Sequence, residues 1–133
     1  MKYSDFQFMQ PLLTKATFEM LPVDGVVNQE VSVSLRKNVL NLTGQNRAVV
    51  SVTVSLNQRP SDKGRKNVPF IAEVEMQSVF TWNKQLREDE IKRFLNQNVT
   101  ALLVSYIRPI ISVLTASSPL PAYNLPFLNT TTE

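Results

Sequence analysis

The sequence contains neither cysteine nor histidine. Without cysteine there is no disulfide framework, no thiol nucleophile and no thiolate metal site. Without histidine the commonest general base, the commonest metal ligand and the usual near-neutral pH switch are missing. Together these absences count against most hydrolases and metalloenzymes, so neither catalysis nor a cofactor is expected. The three glycines, Gly25, Gly44 and Gly64, are too scattered to form a phosphate-cradling loop. The opening Met1-Lys2-Tyr3-Ser4-Asp5-Phe6 lacks the apolar run of a signal peptide. No window approaches the roughly 18 apolar residues needed to cross a bilayer. A soluble, cytoplasmic protein without membrane insertion is the expectation, and the triplets beginning at Asn41, Asn98 and Asn129 then read as chance glycosylation matches.

What is present is patterned. Apolar residues recur at Ile91, Phe94, Leu95, Val99, Leu102, Leu103, Tyr106, Ile107, Ile110, Ile111 and Leu114. Spacings of three and four put them on one stripe of a long helix, a stripe too wide for a coiled-coil seam. Glu88, Asp89 and Glu90 suit the positive end of a helix dipole, which places the start between Asn83 and Glu88. Pro109 lacks an N–H and its ring meets the carbonyl four residues back. A kink or split is therefore expected near Tyr106, with Arg108 at the break. Pro119 and Pro121 end the helix, and a loop carrying Leu120, Tyr123, Leu125, Phe127 and Leu128 follows.

Ahead of the helix the period is two. Phe6 and Phe8, then Ala16, Phe18 and Met20, alternate with polar neighbours along a strand that Pro11 interrupts. Pro11 cannot donate a ladder hydrogen bond, so this strand lies at an edge or bulges there. A connecting loop follows with Leu21, Val23, Val26 and Val27, unusually apolar for a solvated turn. Val31, Val33 and Leu35 share one face of a second strand, and Val50, Val52, Val54 and Leu56 one face of a third. Thr43-Gly44-Gln45-Asn46 joins these two as a hairpin. A fourth strand from Val68 to Trp82 turns Phe70, Ala72, Val74, Met76, Phe80 and Trp82 toward the core and Glu73, Glu75 and Gln77 outward. The 133 residues make a single domain, large enough to bury a core. The fold class is α+β: a four-stranded antiparallel sheet packed by a long, kinked C-terminal helix. The surplus width of the helix stripe predicts a second copy on its other side, giving a homodimer or homotetramer.

Charge is distributed unevenly. Arg36, Lys37, Arg47, Arg59, Lys63, Arg65 and Lys66 face only Asp62 between positions 36 and 66. Such a region can contact nucleic acid or an acidic protein surface. It has no interleaved aromatic residue for stacking, which makes a solvated loop the simpler reading and nucleic acid the lesser alternative. Glu73 and Glu75 share a strand face; without histidine or further acids nearby a solvated sheet face is the simpler reading, and any functional role fits partner docking better than acid–base work.

The segment Pro121-Ala122-Tyr123-Asn124-Leu125-Pro126-Phe127-Leu128-Asn129 resembles the P-x-L-N-L-x-x-V-N run that follows the long helix of the bacterial SecB export chaperones. Tyr106–Ser112 is similar in texture to the SecB helix, Phe70–Val74 with Val79-Phe80 to a SecB strand, and Thr17-Phe18-Glu19 to the end of its first strand. The resemblance implies a non-catalytic homo-oligomer that holds unfolded or non-native polypeptides in apolar grooves, and in SecB passes them to a translocase ATPase, SecA. By that resemblance the polypeptide-binding residues are Leu21, Val23, Val26 and Val27 on one loop, Leu120, Tyr123 and Leu125 on the other, and Phe80 and Trp82 in the floor. Glu19, Glu73 and Glu75 correspond to the partner-docking face. The chain departs from SecB in being basic, with Lys15 where an acidic residue is expected, and so looks closer to short Gram-positive proteins that share the SecB fold.

Overall fold

The computed structural model describes residues 6–23, 30–57, 68–83 and 86–126. Five strands form one antiparallel sheet: β1 (Phe6–Phe8), β2 (Leu12–Met20), β3 (Val33–Leu42), β4 (Arg47–Leu56) and β5 (Phe70–Trp82). β5 lies between β4 on one side and both β1 and β2 on the other, and β3 forms the far edge. β1 and β2 are two halves of the single edge strand anticipated from the sequence, so the sheet is four strands wide. The break falls at Pro11, where the missing N–H ends regular pairing. Met9 in the gap still donates its N–H to the Val79 carbonyl at 3.0 Å and accepts from the Ser78 hydroxyl at 2.6 Å. A register shift between Leu13 and Lys15 bulges β2 just beyond.

The alternation read from the sequence is the alternation observed. Every even position of β5 from Phe70 to Trp82 is buried and the odd positions are only half-buried. Strand ends are closed by asparagines in the left-handed region, which this side chain tolerates better than most. Asn46, at φ 50°, closes the β3–β4 hairpin. Asn57, at φ 58°, is buried beyond β4. Its amide donates to the Phe70 carbonyl at 2.9 Å and its side-chain oxygen accepts the Ser32 N–H at 3.1 Å.

A helical run, Glu88–Ala116, crosses one face of the sheet. It consists of α1 (Glu88–Arg93), a π turn (Phe94–Asn98) and α2 (Val99–Ala116). The buried residues of the run, Ile91, Phe94, Leu95, Val99, Leu103, Val104, Ile107 and Ile111, pack on the even side of β4 and β5.

Two expectations need correction. Of the kink or split expected near Tyr106, the split does not occur: α2 continues through Pro109 to Ala116. Ser105, whose carbonyl loses its partner to the proline, is exposed together with Pro109, so water can take the donor's place. The run also carries a π turn, which no proline marks. The second correction concerns length and composition: an 18-residue window of this helix reaches a mean hydropathy of 1.7 and passes as a possible membrane span on those grounds. The reason is that apolar residues continue around the helix from its core side onto exposed positions such as Val113. The core helix of a soluble protein passes the same test.

Leu103 is fully buried under this helix. Leu103→Ala should lower unfolding free energy by about 2–5 kcal/mol, the range for a core leucine that leaves a cavity; urea titration checks it.

Candidate functional site

The helix covers the middle of the sheet and leaves the β1–β2 edge open. On that edge Phe8, Met9, Leu12, Leu13 and Met20 are all exposed, with Phe8 at 48% and Leu13 at 50%. Phe8 and Leu13 register with Phe80 and Met76, which places them on the helix side of the sheet rather than its outer face. Between β1 and the helix lies an apolar groove of about 630 Å³. Phe6, Phe8 and Phe80 line it from the sheet, and Phe94, Val99 and Leu102 from the helix. Its aromatic wall is ordered by ring contacts. Phe6 stacks on Phe94 with centroids 3.7 Å apart, Phe8 on Phe80 at 5.9 Å, and Phe80 meets Phe94 edge-on at 6.3 Å. Four and eleven residues beyond Leu102, the same flank of the helix presents Tyr106 and Val113, the latter 66% exposed. An apolar strip therefore continues from the groove along the helix.

The residues expected to bind polypeptide are dispersed by comparison. Leu21 is half-buried and donates its N–H to the Pro69 carbonyl at 2.9 Å. Val23 is exposed, while Val26 and Val27 lie outside the described residues. The segment after the helix doubles back along the flank away from the groove. Tyr123 N–H donates to Thr115 Oγ1 at 2.7 Å, the Ser112 hydroxyl donates to Asn124 Oδ1 at 3.0 Å, and Arg108 Nη2 donates to the Pro126 carbonyl at 3.1 Å. This lacing leaves Leu120 and Tyr123 half-buried against the core. It places Leu125, at 6% exposure, within the core and not on a surface. Among the described residues no hydrogen bond links the two loops. Phe80 and Trp82 are buried. Phe80 nevertheless forms the groove floor, and Trp82 lies behind it, 5.7 Å from Phe6. Sequence reasoning passed over Phe6, Phe8, Phe94 and Leu102 as site residues. The Phe-x-Phe alternation on a proline-broken edge strand was the available signal.

On the outer face of the sheet Glu73 and Glu75 are engaged. Lys15 Nζ lies 2.5 Å from Glu73 Oε2, and Arg36 Nη2 and the Ser55 hydroxyl each lie 3.3 Å from Oε1. The Thr14 and Thr53 hydroxyls donate to the two oxygens of Glu75 at 2.6 and 3.0 Å. These partners hold both carboxyls below the ordinary carboxylate range: the Lys15 hydrogen bond above all for Glu73, and the Thr14 hydrogen bond for Glu75. Glu19 shares the face, in register with Ile71. Lys15 and Arg36 stand among these carboxylates, and Arg47 shares the face farther along, in register with Thr81, so the face is mixed in sign. Among the described residues no group of acidic side chains is placed to hold a metal ion. Arg59, Lys63, Arg65 and Lys66 lie outside the described residues, and Arg36 is already paired to Glu73.

The arrangement, an antiparallel sheet under one long helix, is matched by ten solved chains. One is the Rv1957 SecB-like chaperone of Mycobacterium tuberculosis in complex with a ChAD peptide from the Rv1956 HigA1 antitoxin. That match has a TM-score of 0.68 at 17% sequence identity and covers 94% of this chain and 91% of the other. The chain thus has the SecB-like fold. No protein-family model matches it, and no curated protein does.

Because Glu73 has a lowered folded-state pKa, its stabilising contribution is complete above its ordinary value of 4.5 and is lost as pH falls through the folded value. With Lys15 and Arg36 both largely solvated, that contribution is at most about 1 kcal/mol. Glu73→Gln should therefore destabilise slightly at pH 7 and converge with wild type as pH falls through the folded value, as read by denaturant midpoints against pH.

Proposed function

We propose that this protein is a SecB-like chaperone that holds non-native polypeptide on apolar surface and catalyses nothing. The observation that carries the reading is the groove walled by Phe6, Phe8, Phe94 and Leu102, opening onto the exposed apolar strip of the helix. An apolar surface of this extent on a soluble protein marks a binding face. Aromatic side chains are well suited to hold varied apolar segments without a fixed sequence. The antitoxin peptide in the complex of the fold neighbour points to the same class of ligand. Val23, Leu120 and Tyr123 would add contacts outside this groove, with Leu21 and Leu125 supporting them from within.

Catalysis does not fit the carboxylates at hand. Both oxygens of Glu75 and of Glu73 are engaged, and a lowered pKa weakens a general base at neutral pH. We take the protein to be cytoplasmic and to assemble as a homodimer or dimer of dimers, the β2 edge of one protomer pairing with that of its partner. That pairing would occupy unpaired backbone groups and cover Leu12 and Leu13. A translocase partner is the weaker part of the SecB analogy here, because the outer face mixes cations with its carboxylates.

Purified protein should suppress aggregation of a chemically unfolded client, followed by light scattering, and Phe8→Asp should weaken this about tenfold without changing the circular dichroism, since Phe8 is half-exposed. A client that aggregates at the same rate at every protein ratio would rule the reading out. Leu13→Lys should shift the solution mass toward the monomer in sedimentation equilibrium, and an unaltered mass would place the interface elsewhere.

A further inference from the structure

On β3 the half-buried positions facing the helix are Val33, Leu35, Lys37 and Val39. The third is a lysine where the alternation calls for an apolar side chain, in register with the fully buried Val52. A partly buried ammonium needs a strong acceptor. Lys37 Nζ donates to the backbone carbonyl of Asn96 at 3.0 Å. Asn96 sits at the centre of the π turn, and its carbonyl also accepts the hydroxyl of the fully buried Thr100 at 3.1 Å. Its own side-chain amide turns back to the Lys92 carbonyl at 2.9 Å. A π turn carries one more residue than the α turn it replaces; it is rare, and frequent at functional sites.

The same turn supplies the helix wall of the groove, through Phe94, Gln97 and Asn98. Converting it to α geometry would rotate α1 against α2 by about 100° and slide it by about 1.5 Å. Phe94 would then leave its 3.7 Å stack on Phe6. We propose that Lys37 is a positioning residue for the groove: from the opposite edge of the sheet it pins the π turn that presents Phe94 to β1. Its role in polypeptide binding rests on the function proposed above; its hold on the turn does not.

Trp82, the only tryptophan, lies 5.7 Å from Phe6 and reports on this aromatic cluster. Wild type, Lys37→Met and Lys37→Arg are compared by Trp82 emission and by anisotropy titration of a dye-labelled, reduced and carboxymethylated reporter protein, at temperatures where circular dichroism shows each fully folded. Lys37→Met should shift the emission and weaken reporter binding roughly tenfold, and Lys37→Arg, which keeps a cationic donor, should restore most of both. Unchanged emission in Lys37→Met, or emission that Lys37→Arg fails to restore, overturns the hold on the turn. Unchanged reporter binding beside a shifted emission overturns the role in the groove. If wild type itself does not bind the reporter, the chaperone reading fails while the emission comparison still decides what Lys37 holds.

Discussion

Leu103, Ile107 and Ile111 of the helix lie over Val50, Val52, Val54 and Leu56 of β4 and over the even residues of β5, all sealed from water. Each such side chain contributes about 1.5–3 kcal/mol by leaving solvent. No disulfide reinforces this seam, since the chain has no cysteine, so the sheet and helix hold together chiefly by burial, with the Lys37–Asn96 hydrogen bond beside it. Both partners depend on it. A two-faced antiparallel sheet needs one side covered, and a helix with a broad apolar stripe needs a surface to lie on.

The same geometry limits the cover. A helix about 10–12 Å across spans little more than two strands set about 4.8 Å apart. It reaches β4 and β5 and leaves the β1–β2 edge uncovered, although that edge keeps apolar residues on the helix side. The groove is therefore a consequence of sheet width set against helix width. The segment 117–126 treats the other flank of the helix differently, laced to Arg108, Ser112 and Thr115 and burying Leu125. One flank is closed by the chain itself and the other is left for something else to fill.

Opposite the helix, the outer face is governed by charge rather than burial. Bulged Thr14 and the strand-facing Thr53 hold Glu75, while Lys15 and Arg36 hold Glu73. The carboxylate pair that Glu73 and Glu75 offer for docking or catalysis is largely satisfied within the sheet. The cations that satisfy it come from β2 and β3, far apart in sequence and brought together only by register.

How far the chain could be read in advance follows from the range of each interaction. Alternation along β5 and the apolar stripe of the helix are local, repeat every two or every three to four residues, and determined the α+β layering and the order of the elements. Phe70 through Trp82 could be assigned their faces from the sequence alone for that reason. The π turn could not, because a lysine 59 residues away helps to hold it, and neither could the placement of Leu125, which depends on three hydrogen bonds to the helix it follows. Which apolar residues remain exposed was likewise decided only in three dimensions. Phe8 and Phe80 look alike in sequence and pair directly in the sheet, yet the helix shields one and stops short of the other.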